Sequence, residues 1–102
     1  MHNYRGFRDF YPFYLSEHAD VRSRRLHFDG SCAVLVVIAA TLASGRVAWL
    51  WLVPLFGYGC AWTGHFFFEK NRPATFTHPI YSLMGDWVMF GQVLTGRVSL
   101  WK

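Results

Sequence analysis

Charge is what this chain lacks first. Only 16% of its 102 residues are Asp, Glu, Lys or Arg, where a soluble domain carries about 25%. There is little polar material to cover a surface, and no block of five or six like charges occurs. Cysteine is scarce too. Cys32 and Cys60 both lie inside apolar runs without metal-type spacing, which excludes a disulfide framework. No HExxH stretch is present, so zinc-protease chemistry has no support. HxxxH and HxxHH clusters of the di-iron desaturase type are missing as well. Neither a Ser-His-Asp nor a Cys-His arrangement stands out. No secretory signal is visible, because the first apolar run begins near residue 31 behind a polar, aromatic lead.

Apolar and aromatic residues fill the space. They make up 53% and 20% of the sequence, more than one small soluble core can use, so the excess needs lipid, a ligand or a partner to cover it. The net charge is +4, but the longest apolar runs hold no Lys or Arg able to reach phosphates. Nucleic-acid binding is therefore not expected. At this length the chain reads as one domain, residues 1–102.

The patterning predicts an all-α protein: an integral membrane helical hairpin with an N-terminal interfacial helix and a third apolar helix. Residues 30–45 and 47–68 carry no charge except at the intervening Arg46. The second run has the roughly 17–25 residues that a membrane helix needs. The first reaches that length if it opens near residue 27, giving arms at about 27–44 and 47–68. A connection as short as Ser44-Gly45-Arg46 forces adjacent antiparallel helices. Pro54 is expected to kink the second arm. Trp49 and Trp51 near the turn, with Trp62, Phe66, Phe67 and Phe68 at the far end, resemble two interfacial aromatic belts. Five Arg precede the first arm, and Lys70 and Arg72 follow the second. That excess places both open ends on the cytoplasmic side. Residues 7–25 mix aromatic and basic side chains as an interfacial helix does. A third helix is expected at about 79–95, where Ile80, Leu83, Met84, Trp87, Val88 and Gly91 form an apolar stripe.

The histidines carry the chemistry. His2 sits near the terminus and is set aside. His27 lies nineteen residues before Arg46 and His65 nineteen after it, so each stands roughly 28 Å from the turn. His18 precedes the first arm and His78 closely follows the second, which confines all four rings to one interfacial layer. Histidine is the commonest metal ligand, and an all-imidazole set suits Zn, Fe, Cu or Ni. Haem between two histidines is a further possibility, as is a purely structural role at the membrane surface. Glu69, four residues beyond His65, is a candidate acceptor for a ligating imidazole or a salt-bridge partner of Lys70 or Arg72. Asp86, spaced by fours from Ser82 and His78, is a second candidate acceptor.

Two blocks resemble a known family. Phe13-Tyr14-Leu15-Ser16-Glu17-His18 followed by Arg25-Leu26-His27-Phe28-Asp29-Gly30 is similar to the N-terminal signature of the MPO-like membrane family, relatives of the yeast 2-hydroxy fatty acid dioxygenase. Gly64-His65-Phe66-Phe67-Phe68-Glu69-Lys70-Asn71-Arg72-Pro73-Ala74 resembles its GHxxxExxxPA block, and residues 75–87 resemble its short bacterial branch. The resemblance implies an Fe(II)-dependent enzyme of the bacterial inner membrane that shortens a 2-hydroxy fatty acid by one carbon with O2. Its ligands would be His18, His27, His65 and, less directly, His78. Arg72, Arg24 or Arg25 would pair with the substrate carboxylate. Six-coordinate iron with four histidines keeps two positions, whereas a chelating substrate with O2 needs three, so His78 is expected to be labile or outside the metal's shell. The alternative is a non-catalytic membrane module whose histidines serve metal handling or structure.

Overall fold

The computed structural model describes residues 4–101. Four α-helices, α1 (Phe7–Ser16), α2 (Val21–Ser44), α3 (Leu52–Thr63) and α4 (Pro79–Leu94), are joined by 3-10 turns at Val47–Trp51 and Ala74–Phe76. A π-helical turn at Gly64–Glu69 extends α3. No strand occurs among the described residues, so the all-α expectation is met.

The expected interfacial helix over 7–25 is two pieces. Chain and helix part at residues 17–20, and Asp20 then accepts the Arg22 N–H at 2.8 Å. An aspartate in that place satisfies one of the donors that every helix start leaves free. Residues 21–25 are therefore the opening turns of α2. The helix ends at Gly45, whose φ of +73° suits glycine and whose N–H returns to the Thr41 carbonyl at 2.8 Å. At 24 residues α2 is, among the described residues, the helix long and apolar enough to cross a membrane.

The second arm differs from its expected form. Pro54 does not kink the middle of a helix, because the arm opens as a 3-10 turn and α3 starts only at Leu52. Pro54 then falls in the first turn of α3, where a missing N–H costs nothing. α3 lies antiparallel on α2 and very close to it. A Cβ on Gly30 would stand 2.8 Å from Cys60 Cβ, and one on Gly64 would stand 2.9 Å from Ser23 Cβ.

Large apolar side chains face outward on these elements. The buried residues of α2 are Ser23, His27, Gly30, Ser31, Val34, Val37 and Thr41, while Val36 is 67% and Leu42 81% exposed. The apolar stripe of α4 also points out. Ile80 is 69% exposed, and Leu83, Met84, Trp87 and Val88 are exposed too, while Ser82, Gly85 and Met89 turn inward. The 3.6 period located this helix but not the direction of its apolar side. α1 packs conventionally: Phe10 and Tyr14 are buried with Met89 and Ala74, and Gly85 gives room to the Tyr14 ring, where a Cβ would come within 2.9 Å.

Candidate functional site

Three of the predicted histidines meet. His18 comes from the loop after α1, His27 from α2 and His65 from the π-helical turn, and all three are buried. The His18 ring centre lies 4.5 Å from that of His65 and 5.7 Å from that of His27, both edge-on. Two imidazoles on one ion, at metal–nitrogen distances of ~2.1 Å, would have ring centres about 4.5–5.5 Å apart.

The hydrogen bonds fix which nitrogen carries each proton. His18 Nδ1 donates to the Tyr14 carbonyl at 2.9 Å, since a carbonyl only accepts. Its Nε2 is left with a lone pair. Burial, then the neighbouring His65, hold the His18 pKa down to about 3, so the ring is neutral. For His65, Asn71 Nδ2 donates to the Glu17 carbonyl at 3.3 Å, which fixes Asn71 Oδ1 as an acceptor 2.7 Å from His65 Nδ1. His65 Nε2 is likewise left free to donate electrons. His27 is held differently. Tyr14 Oη donates to Asp86 Oδ1 at 2.6 Å, and His27 Nε2 lies 3.1 Å from that same oxygen and 3.2 Å from Tyr14 Oη. The carboxylate only accepts, so the His27 proton is on Nε2. Burial foremost, then Asp86, push the Tyr14 hydroxyl pKa well above 10, which keeps it a donor.

The His18–His65 spacing suits two ligands of one metal ion, while the His18–His27 spacing is slightly wider than the range for such a pair, and two of the imidazoles have the anchored Nδ1–H that ligating histidines use. The third has turned its Nε2 into a hydrogen bond. Accordingly, no three His, Cys, Asp or Glu side chains among the described residues converge as a metal site in this arrangement.

Several expected partners lie elsewhere. His78 packs against Tyr4 and Phe10, with ring centres 5.1 and 5.4 Å away, and among the described residues no ring contact joins it to the other three. His2 lies outside the described residues. Glu69 is not the acceptor for His65; it takes the Asp20 N–H at 2.6 Å and the Ser23 hydroxyl. The reason is local winding. The i, i+4 rule assumes an α-helix, and the wider π turn carries Glu69 off the His65 face. Lys70 then adopts φ +57°, and the Asn71 N–H returns to the His65 carbonyl at 3.0 Å, which brings the Asn71 side chain to the ring. Asp86 does serve an imidazole, but that of His27, not His78. Arg72 is exposed with its guanidinium over the Phe76 ring at 5.3 Å. Arg24 and Arg25 donate to backbone carbonyls, among them those of Ser99 and Leu100. None of the three arginines lines the cleft described next.

A cleft of about 150 Å³ opens beside His27 and Asp86. It runs between α2, α3 and α4 past Val34, Val53, Gly57 and Leu83, so its far walls are apolar and its near end polar. Tyr14 and Asn71, which orient two of the three rings, were missed in the sequence reading. Tyr14 stands in a family-like block, but nothing in that block marks a tyrosine as a partner of histidines four and thirteen residues away or of an aspartate seventy-two residues away.

The family model described as 2-hydroxy-palmitic acid dioxygenase Mpo1-like matches residues 4–98. No curated protein and no solved structure matches the chain.

Proposed function

Because the chain belongs to the Mpo1-like family, we propose that it is an Fe(II)-dependent dioxygenase that shortens a 2-hydroxy fatty acid by one carbon at a membrane surface. The observation that carries this reading is the pair His18 and His65: buried, with Nδ1 protons tied to fixed acceptors and both Nε2 lone pairs available. His27 is the third ligand in this reading: its Nε2 proton is given to Asp86 at 3.1 Å, which leaves the Nδ1 lone pair for a metal. A bound Fe(II) would supply the redox chemistry that a reaction with O2 requires.

The chain's own contribution is placement. Asn71 and the Tyr14 carbonyl hold two rings in one orientation, and Asp86 with Tyr14 holds the third. The cleft beside His27 is smaller than the ~300–1,000 Å³ of a pocket that swallows a drug-sized molecule. It suits the head end of an acyl chain, with the tail continuing outward over apolar surface. The outward Val36, Leu42 and Ile80 favour lipid as that surroundings, since membrane helices pack through small residues and turn large ones to the bilayer. The Arg-rich open ends favour a cytoplasmic-side site, in a bacterial inner membrane by resemblance to the short bacterial branch.

A second reading has its own support. His27 Nε2 is already hydrogen-bonded to Asp86 and Tyr14, as in a membrane module whose histidines are structural. Metal analysis and O2 uptake by detergent-purified protein with a long-chain 2-hydroxy acid separate the two. Bound iron with O2 consumption is the enzyme's result. Well-folded, iron-free protein that consumes no O2 even after Fe(II) is added is the module's result.

A further inference from the structure

One side chain that lines the cleft can only accept hydrogen bonds. Asp86 lines its polar end, and Oδ1 is occupied by the Tyr14 hydroxyl at 2.6 Å and His27 Nε2 at 3.1 Å. Oδ2 makes no hydrogen bond among the described residues, and the Asp86 side chain keeps 23% of its surface exposed. A carboxylate oxygen accepts and does not donate. Of the other polar side chains on the cleft wall, the Ser31 and Tyr58 hydroxyls can do either and so select nothing, and the Trp87 indole N–H only donates and so favours no ligand donor. His27 has spent its Nε2 proton.

The consequence for an acyl acid is specific. Its carboxylate is repelled by Asp86, and its methylenes offer that oxygen nothing, but a hydroxyl on the carbon next to the carboxyl offers a proton. We propose that Asp86 Oδ2 accepts the hydrogen bond of the substrate's 2-hydroxyl and makes the cleft selective for acyl acids that carry a donor at that carbon. This rests on the reading above that the cleft takes the head of an acyl acid. Two bonds to Oδ1 fix the carboxylate plane, so Oδ2 is held in place before the ligand arrives, and a ligand that lacks the donor leaves it desolvated and unpaired. Asp86 is thereby a specificity-determining residue, not only the partner of His27.

The test is equilibrium binding to the detergent-purified full chain, with no turnover required. Three ligands of one chain length are compared: the 2-hydroxy acid, the 2-fluoro acid, which keeps the size but loses the donor, and the 2-oxo acid, which offers only an acceptor. The wild type is expected to prefer the hydroxy to the fluoro acid by about tenfold or more. Asp86→Asn, which can still accept at one atom but donates at the other, is expected to bring that ratio near one and to bind the 2-oxo acid more tightly than the wild type does. Equal binding of hydroxy and fluoro acids by the wild type overturns the proposal even if the variant fails to fold. A folded Asp86→Asn protein, by its helical circular dichroism, that keeps the wild-type preference also overturns it. In both cases the acyl-cleft reading survives. Wild type that binds none of the three acids overturns that reading and the role of Asp86 with it.

Discussion

Where α2 meets α3 and the π turn after it, the close approaches are at glycines, Gly30 on Cys60, Gly57 on Val34 and Gly64 on Ser23, while Val36 and Leu42 face outward. Between α1 and α4 the groups that meet are Phe10, Tyr14 and Met89, with their large side chains buried. One half of the molecule is packed through small residues with its bulk outside, the other through rings with its bulk inside. The first is how helices pack when the solvent is as apolar as they are; the second is ordinary core burial driven by water. The histidines lie where the two regimes adjoin, with His27 and His65 in the hairpin and His18 beside the aromatic layer. A buried polar cluster at that seam is reached from an apolar cleft on one side and anchored by backbone carbonyls on the other.

The comparison can be broken most severely at its hinge residue. Tyr14 belongs to the aromatic core and also hydrogen-bonds Asp86 and His27. Tyr14→Ala is expected to cost about 3–5 kcal/mol, the usual cost of deleting a buried ring, read as a lowered thermal midpoint in detergent. A drop below about 1 kcal/mol would show that the α1–α4 layer is not a core. On the hairpin side, Val36→Arg is expected to oppose membrane insertion by about 2.5–3.5 kcal/mol, so that the protein shifts from the membrane to the soluble or aggregated fraction. Unchanged membrane retention would remove the inside-out reading of α2.

A smaller effect sharpens the seam between them. The His18 pKa is about 3 in the folded protein and about 6.5 unfolded. Below pH 6.5 the unfolded chain binds a proton that the metal-free native state refuses, so stability must fall as pH falls, until about pH 3 is passed. Between pH 8 and pH 5 the loss is about 2 kcal/mol. In His18→Gln, whose side chain does not titrate, that part of the acid dependence should vanish. An identical acid slope in the variant would mean that His18 is not buried neutral.

Much of this arrangement is legible in the residue order. The short Ser44-Gly45-Arg46 link between uncharged runs gives the antiparallel hairpin, and His27 and His65 near its open end both come into ring contact with His18. What composition could not reveal is direction and winding. Ile80, Leu83 and Trp87 recur at helical spacing whether that side meets a core or faces away from one. Asn71 reaches His65 only because a π turn and a left-handed Lys70 reverse the chain, and neither has a strong local signature. His78 follows the second arm as closely as a fourth ring of the cluster would, yet Tyr4 and Phe10 hold it elsewhere.

The oriented imidazoles are best tested by their affinity for iron. Equilibrium titration of the metal-free wild type with Fe(II), alongside His65→Ala and Asn71→Leu, should show about one iron per chain in the wild type and almost none in His65→Ala. Asn71→Leu should bind about 10–100-fold more weakly, because it frees the ring without removing it. Wild-type protein that folds and takes up no iron, or Asn71→Leu binding as tightly as wild type, would contradict the account.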